Sequence, residues 1–238
     1  MLIIPIVLQD IKANLNNPYI EFWTPFILKN PMGLKYFSRW KRLRGQMSEI
    51  LNKEIPWLPF ETSDWLESLL NKNMFVFEWG SGGSTLFLLN KVKELVSVEH
   101  DKQWFEKMRK KLLLKHKNFH YLLREPIRER RITDKVVGAF RSSSYPKHSF
   151  EKYSKVISSW EDNYFDLVIV DGRARNSCIF EAIPKINNNG YLLLDNSERE
   201  EYNEGIKLLK DWKRRDFYGP GPFNDYFWQA SIFQKPSK

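Results

Sequence analysis

The hydrophobic positions from residue 74 onward fall in short uninterrupted runs that alternate with amphipathic stretches. A run that is apolar at consecutive positions is typical of a strand buried on both faces of a parallel sheet. Five runs predict such strands: 74–78, 94–99, 119–123, 165–171 and 191–195. Helices are predicted over 84–91, 101–115, 174–188 (interrupted at Pro184) and 200–214, and a closing hairpin over 216–219 and 226–234. The pattern predicts an α/β fold with a seven-stranded, mostly parallel sheet, an antiparallel C-terminal strand and helices on both faces.

The first 63 residues follow a different pattern, and we interpret them as an N-terminal helical extension of a domain that spans residues 64–238. Residues 19–45 mix aromatic side chains with basic ones: Lys35, Arg39, Lys41, Arg42 and Arg44. One interpretation is a segment that packs its aromatic side chains on the main domain. The other is a helix that contacts a membrane surface or a partner. Near the boundary, Asp64 and Glu67 have the spacing of a capping box, which predicts a helix start.

The segment 124–160, between the third and fourth predicted strands, is too long for an ordinary connection. Its first part, residues 124–148, carries seven Lys and Arg residues against three acids. We interpret the segment as an inserted basic arm with a helix at about 151–160.

Composition limits the classes of protein and partner. The single cysteine, Cys178, excludes an intrachain disulfide and a cysteine-cluster metal site. The run 1–10 lacks the basic region and cleavage site of a signal peptide, and no apolar run reaches the roughly 20 residues that span a bilayer. We therefore expect a cytoplasmic protein. The net charge of +9 favours anionic partners without choosing among nucleic acid, a membrane surface and an acidic substrate.

The stretch "VFEWGSGGSTLFL" (76–88) joins the first strand to the first helix through a glycine-rich turn. Ligands of parallel sheets bind at the carboxyl ends of the strands, and Gly80 and Gly82 let the backbone approach a ligand there. Glu78 would repel a pyrophosphate, and the G-x-G-x-x-G fingerprint of dinucleotide sites is incomplete. Glu99, at the end of the second strand, can accept hydrogen bonds from ribose hydroxyls. These residues favour a nucleoside that carries a positive centre, and S-adenosylmethionine fits that description.

Four runs resemble the class I S-adenosylmethionine-dependent methyltransferases: E-x-G-x-G-G (78–83), "VSVEHD" (96–101), "FDLVIVDG" (165–172) and "GYLLLDN" (190–196). The resemblance covers roughly residues 64–234. Within the family, the chain resembles in particular a bacterial group associated with sugar and polysaccharide modification. Ser84 departs from the family pattern at the third glycine of the turn. The resemblance implies a Rossmann-like fold, in which Glu99 holds the ribose and His100 lies against the adenine. The cofactor residues that it implies are Glu78, Gly80, Ser81, Gly82, Glu99, His100 and Asp171.

Polar side chains at the ends of the fourth and fifth predicted strands are candidates for the chemistry. Asp171, Asp195 and Asn196 offer hard oxygen ligands that suit Mg²⁺. The arrangement looks like that of the catechol-type, metal-dependent O-methyltransferases, which implies an ion that lowers the pKa of an acceptor hydroxyl. A structural alternative is that Asp195 and Asn196 cap the following turn. In a metal-free alternative, Asp171 is the general base.

Further residues near this edge are candidates for acceptor binding. Arg173 and Arg175 could grip a carboxylate or phosphate, or could serve only in salt bridges at a helix start. Phe223, Tyr226 and Trp228 in and after the "GPGPFNDY" loop could wall an acceptor pocket, although aromatic side chains are also common in cores.

The sequence therefore predicts an S-adenosylmethionine-dependent O-methyltransferase that acts on a small-molecule or glycan acceptor, with no nucleic acid partner. Three alternatives stay open. A nucleic-acid methyltransferase is favoured by the net charge, an NAD-linked oxidoreductase requires a pyrophosphate at the glycine turn, and a non-catalytic nucleotide-binding module would keep only the fold.

Overall fold

The computed structural model describes residues 20–112, 119–129 and 139–237. Seven of its strands form one sheet: β1 Phe75–Trp79, β2 Glu94–Glu99, β3 Phe119–Leu123, β6 Phe165–Val170, β7 Ile186–Asp195, β8 Lys213–Gly219 and β9 Trp228–Gln234. Two short strands pair separately: β4 Ile127–Arg128 and β5 His148–Ser149. The order across the large sheet is β3-β2-β1-β6-β7-β9-β8, and only β9 runs antiparallel to its neighbours. This is the predicted fold class.

The central strands are buried because both faces of the sheet are covered. Val76, Phe77, Val168 and Val170 have no exposed surface, and alternate residues of each strand belong to the apolar clusters on opposite faces. The neighbours of β1 are β2 and β6, so the chain order reverses at β1. A crevice opens at such a switch point, at the carboxyl ends of the strands.

Helices lie between the strands and in the N-terminal region: α1 Ile20–Lys29, α2 Phe37–Leu43, α3 Ile50–Lys53, α4 Phe60–Leu69, α5 Gly83–Leu89, α6 Lys102–Leu112, α7 Glu151–Ser154, α8 Arg175–Ala182 and α9 Asn203–Lys207. The predicted helix over 174–188 does break at Pro184, which lies in a 3₁₀ turn, Ile183–Lys185. The end of the predicted helix over 101–115 falls outside the described residues.

Two predicted boundaries at the C-terminal end of the sheet are wrong. The helix predicted over 200–214 ends at Lys207, and residues from Lys213 form the edge strand β8, whose first four residues are exposed. Polar residues on a solvated edge strand have no alternating pattern, so they are indistinguishable from a helix surface. Strand β7 begins at Ile186, five residues earlier than predicted, and a register shift accommodates its polar Asn187–Asn189 segment.

The extension packs on the main domain through aromatic side chains, as one of the two interpretations predicts. Trp23 and Trp40 are buried with Phe227, and Trp40 Nε1 donates a hydrogen bond of 2.9 Å to the carbonyl of Asn224. Asp64 does not begin a helix, because α4 starts at Phe60. Its carboxylate instead accepts a hydrogen bond of 2.8 Å from the hydroxyl of Tyr36, which ties the extension to α4.

The described part of the arm folds back onto the sheet edge. Strands β4 and β5 of the arm pair antiparallel. Residues 151–159 form α7 and a following 3₁₀ helix, which agrees with the predicted helix at about 151–160. The backbone N–H of Phe140 donates to Ser177 Oγ of α8 at 3.1 Å, so the arm lies beside the carboxyl ends of the strands. Nowhere in the three described ranges does a helix have the length and apolar character needed to cross a membrane.

Candidate functional site

A cleft of about 540 Å³ lies at the carboxyl ends of β1, β2, β6 and β7. It takes residues from the glycine turn, the strand ends, the arm, the extension and the loop before β9. Its lining residues include Met47, Ile50, Trp57, Gly80, Ser81, Gly82, Gly83, Ser84, Glu99, His100, Asp101, Trp104, Tyr145, Asp171, Gly172, Arg173, Arg175, Asp195, Asn196, Arg199, Asn224, Tyr226 and Trp228. Most of the predicted site residues therefore meet in one place, at the predicted edge of the sheet.

The glycine turn has one glycine for conformation and one for close packing. Gly80 has a φ of +96°, where a side chain is strained, and a Cβ there would lie 3.0 Å from the backbone of Asp171. A Cβ on Gly83 would lie 2.1 Å from the carbonyl oxygen of Ile55 in the extension. Gly82 is different, because a Cβ there meets no atom within 4 Å. The backbone at Gly82 therefore borders open space in the cleft, where a ligand can approach it.

Glu99 is the hydrogen-bond centre at the β2 end of the cleft. Its carboxylate accepts from Ser81 Oγ at 2.8 Å and from the backbone N–H groups of His100 and Asp101 at 2.7 and 2.9 Å. Burial by itself raises the pKa of this carboxyl, but the His100 side chain and the backbone of Asp101 outweigh it and hold the pKa below its usual value. Glu99 is thus a fixed carboxylate, which is the form that accepts bonds from hydroxyls.

Glu78 does not line the cleft, contrary to the prediction that it contacts the cofactor. It is fully buried below the turn, where it accepts hydrogen bonds from Ser84 Oγ at 3.0 Å and from Thr85 Oγ1. Burial raises its pKa from 4.5 to about 7. The side chain points under the first turn of α5, so its role in the structure is to hold the glycine turn against β1.

Arg175 is buried at the start of α8, and its guanidinium donates hydrogen bonds to oxygen atoms of the chain itself. It donates to the carbonyls of Gly172 and Asp171 at 3.0 Å each, to the carbonyl of Asp195, and to Asp171 Oδ1 at 3.1 Å. The prediction that Arg175 grips an acceptor is therefore not supported by the geometry, because its donors join the ends of β6 and β7.

Asp195, which is buried, and Asp171, which is partly exposed, both lie within 4.0 Å of the Arg175 guanidinium. Asp195 Oδ1 accepts from Trp228 Nε1 at 2.8 Å, and its Oδ2 lies 4.0 Å from Arg175 Nη1. Burial, followed by the charge of Asp171, raises the pKa of Asp195 well above its usual range. Both causes favour the protonated form of Asp195. The Asp171 side chain is 27% exposed and faces the cleft.

These contacts do not fit the predicted Mg²⁺ site of Asp171, Asp195 and Asn196. The guanidinium of Arg175 lies 3.1 Å from Asp171 Oδ1 and 4.0 Å from Asp195 Oδ2, so a cation of the chain itself already lies against both acids. Within the described residues, no group of three or more His, Cys, Asp or Glu side chains is placed to hold a metal ion. In the metal-free alternative Asp171 is the general base, and its side chain does line the cleft.

The other predicted acceptor residues divide between the cleft and the core. Arg173 and Tyr226 line the cleft, and Tyr226 is 48% exposed with its ring centroid 6.0 Å from that of Trp228. Asn196, predicted as a metal ligand, also lines it. Phe223 is buried and packs edge-on against Trp57 at 6.2 Å, so it belongs to the core below the loop. Phe223 is therefore a core residue, which is the second of the two roles considered for these aromatic side chains.

His100 lies in the cleft, as predicted, and its ring is held on both sides. Its Nδ1 lies 2.8 Å from Glu99 Oε1, and its Nε2 lies 3.2 Å from the hydroxyl of Tyr145 in the arm. Trp104 is also in the cleft, and its Nε1 donates to the carbonyl of Ser81 at 2.8 Å. Trp104 lies in the helix predicted over 101–115 and Tyr145 in the predicted arm, and neither position carries a motif that marks it as part of a site.

The extension contributes one wall of the cleft, which sequence reasoning also missed. Met47 and Ile50 reach it from the turns before and within α3, and Trp57 from the loop that follows. No pattern in residues 46–58 predicts this placement, because it depends on the docking of the extension beside the glycine turn.

No protein-family model matches this chain, and no curated protein matches it either. Among solved structures, an rRNA methylase from Streptococcus thermophilus is similar with a TM-score of 0.50 and 11% identity, over 75% of this chain and 97% of that one. A methyltransferase from Pyrococcus furiosus gives 0.47 and 16%, over 75% and 83%. The N-methyltransferase NodS from Bradyrhizobium japonicum, in complex with S-adenosyl-L-homocysteine, gives 0.45 and 14%, over 79% and 97%. The first of these likenesses shows that the chain shares the Rossmann-like fold of a solved methylase.

Proposed function

We propose that the protein is an S-adenosylmethionine-dependent O-methyltransferase that acts on a hydroxyl of a sugar or glycan. The observation that carries the proposal is the cleft at the switch point of the sheet, where an open glycine turn lies between two strand-end carboxylates, Glu99 and Asp171. The likeness of fold to a solved methylase is in accord with it.

The residues present fit the cofactor. Glu99 offers fixed carboxylate oxygens to ribose hydroxyls, the open backbone at Gly82 admits the amino-acid part, and Trp104 and His100 offer ring faces and edges to the base. The bound cofactor supplies a methyl group on a positively charged sulfur, which needs no further activation. The work left to the chain is to align the acceptor and to remove one proton.

Asp171 is placed to take that proton. Its carboxylate faces the cleft, is held by Arg175 at 3.1 Å, and has a pKa that burial raises above its usual value. A raised pKa makes a carboxylate a better base toward a hydroxyl. The proton passes from the hydroxyl oxygen to Asp171 as that oxygen gains its methyl group, and it then leaves to solvent through the exposed part of the side chain.

Aromatic side chains near Asp171 support a sugar as the acceptor. Tyr226, Trp228 and Trp57 line the cleft, Trp228 donates to Asp195, and flat apolar rings beside hydrogen-bonding groups suit a sugar ring. Asn196 and Asn224 offer amide groups to its hydroxyls.

Calorimetric titration with S-adenosylhomocysteine, with NAD as the comparison ligand, tests the proposal. We expect micromolar binding of the homocysteine and none of NAD, and we expect Glu99→Gln to weaken it strongly. Glu106→Gln is the matched control, because it removes a 44% exposed acid from α6, outside the lining of the cleft. Absence of binding, or a preference for NAD, overturns the proposal. Methylation of an RNA oligonucleotide with steep salt dependence would keep the chemistry and replace the sugar acceptor.

Contact of the extension with a membrane surface stays a prediction. Leu28 and Met32 are each 75% exposed next to Lys29, a pairing of apolar and basic groups that suits an anionic bilayer. Cosedimentation with anionic vesicles measures it, with Leu28→Ser as the variant.

A further inference from the structure

A second, smaller cavity lies between the arm and the start of α8. It has a volume of about 50 Å³, and its walls are almost entirely polar. We call it the arm pocket; it is lined by Arg141, Ser142, Ser143, Ser144, Gly172, Arg173, Ala174, Arg175, Asn176, Glu201 and Tyr202. Because a cavity of about 10–15 Å³ is enough to hold one water molecule, a space of this size can take a small ion or charged group.

The charges and donors of the arm pocket favour an anion. Three of its lining residues are arginines, while Glu201 is the one carboxylate among the lining residues. Three consecutive serines add hydroxyl donors from the arm. Serine hydroxyls and a guanidinium fork are the groups that bind phosphate, sulfate and carboxylate oxygens.

Arg173 is the residue best placed to bind such a group. Its Nη1 donates to Ser144 Oγ at 3.2 Å, and its guanidinium lies 5.4 Å from the ring centroid of Tyr145. These two contacts hold the side chain in position while leaving most of its five N–H donors for a ligand. Arg175, in contrast, has its donors committed to the strand ends.

The arm pocket adjoins the reacting end of the main cleft. Gly172, Arg173 and Arg175 line both spaces, and Asp171 lies directly before them in the chain. A group in the arm pocket and a hydroxyl at Asp171 can therefore belong to one molecule.

We propose that the arm pocket binds an oxyanion group of the acceptor, so that the acceptor is an acidic sugar that bears a phosphate, sulfate or carboxylate near the methylated hydroxyl. The inference rests on the proposed function for the identity of the acceptor, but the binding of the anion can be measured without it. It also gives the arm a role, because Arg141 and the three serines belong to that segment.

Calorimetric titration with inorganic phosphate, glucose 1-phosphate and glucose tests the proposal on the full chain. We expect glucose 1-phosphate to bind more tightly than either phosphate or glucose alone, and Arg173→Gln to weaken it by about tenfold or more. Arg128→Gln is the matched control, since it removes the same charge from an exposed position of the arm outside the pocket and should bind as the wild type does.

Equal weakening by the two variants, or no phosphate binding, overturns the arm pocket as a site. Binding of glucose 1-phosphate no tighter than that of inorganic phosphate overturns the assignment to the acceptor. S-adenosylhomocysteine is titrated in the same samples, so that its failure to bind the wild type counts against the proposed function and not against the pocket. Urea unfolding of both variants excludes misfolding as the cause.

Discussion

Arg175 Nη2 lies 3.1 Å from Asp171 Oδ1, and the same guanidinium also donates to the backbone carbonyl of Asp195. One buried cation thus joins the ends of β6 and β7 and neutralises the acids that follow them. The arrangement explains why the two carboxyl groups can lie together below a cleft, and it makes the arginine a structural part of the site.

Replacing Arg175 with Met should destabilise the protein strongly, because it leaves a buried acid pair without its cation and three carbonyls without a donor. Removing one partner of a buried ion pair costs about 3–5 kcal/mol. Urea unfolding at pH 7 measures the change in the free energy of unfolding. Arg173→Met is the control, with an expected change of about 0.5 kcal/mol or less, as is usual for a partly exposed position. Similar values for both variants would contradict the structural role of Arg175.

Replacing Asp195 should have different effects according to the group that is introduced. Asn keeps an oxygen for the indole of Trp228 and an N–H donor toward Asp171, as the protonated acid does. We expect Asp195→Asn to retain stability within about 1 kcal/mol, and Asp195→Ala to lose about 2–3 kcal/mol because the indole and Asp171 lose a buried partner. Thermal and urea unfolding compare the two variants. Equal losses would mean that Asp195 is ionised in the folded protein.

Glu78 should make the stability of the protein depend on pH. Its pKa is about 7 in the folded state, raised by burial from the ordinary 4.5, so the folded state binds more protons between these values. The free energy of unfolding therefore falls as pH rises from about 4.5 to about 7, by up to about 3 kcal/mol from this group. Glu78→Gln should remove that part of the slope, because Gln cannot ionise, although its single oxygen can accept from only one of Ser84 and Thr85.

The comparison is made by urea unfolding of both proteins at several pH values. The buried aspartates contribute a slope in the same direction, and the difference between wild type and variant isolates Glu78. Parallel curves for the two proteins would show that Glu78 has the same pKa in the folded and the unfolded states.

The two adjacent glycines of the turn should respond in opposite ways to an added side chain. Gly82→Val places its side chain in open space at the cleft, so we expect nearly unchanged stability and a loss of about 100-fold in affinity for S-adenosylhomocysteine, which is about 2.7 kcal/mol. Gly83→Ala places a Cβ 2.1 Å from the Ile55 carbonyl, so it should destabilise the fold. Unfolding curves and calorimetric titration of both variants check this. Unchanged affinity in Gly82→Val would place the cofactor elsewhere.

The fold was predictable because the strands carry their own signal. The apolar runs at 94–99 and 165–171 match β2 and β6, because a strand buried on both faces is apolar at most positions. Acids that end such runs, Glu99 and Asp171, were placed correctly because parallel strands bring their carboxyl ends to one edge.

The hydrogen-bond partners of individual side chains were not predictable from the sequence. The run "DGRARN" (171–176) shows two arginines near an acid. It does not show that Arg175 donates to backbone carbonyls at the ends of two strands. Likewise, Glu78 ends its run as Glu99 does, yet the hydroxyls of Ser84 and Thr85 hold it under α5. Such differences arise from tertiary packing, which pattern alone does not record.

The bond from Trp228 to Asp195 joins residues that are 33 positions apart in the chain. During synthesis Asp195 leaves the ribosome well before its indole partner, and β7 emerges before β9, with which it pairs. The acid pair therefore completes its hydrogen bonds only when the last strand has been translated. A nascent chain that stops short of Trp228 has the glycine turn and the strand ends but lacks the donor that holds Asp195, so the site cannot be complete before Trp228 has been translated.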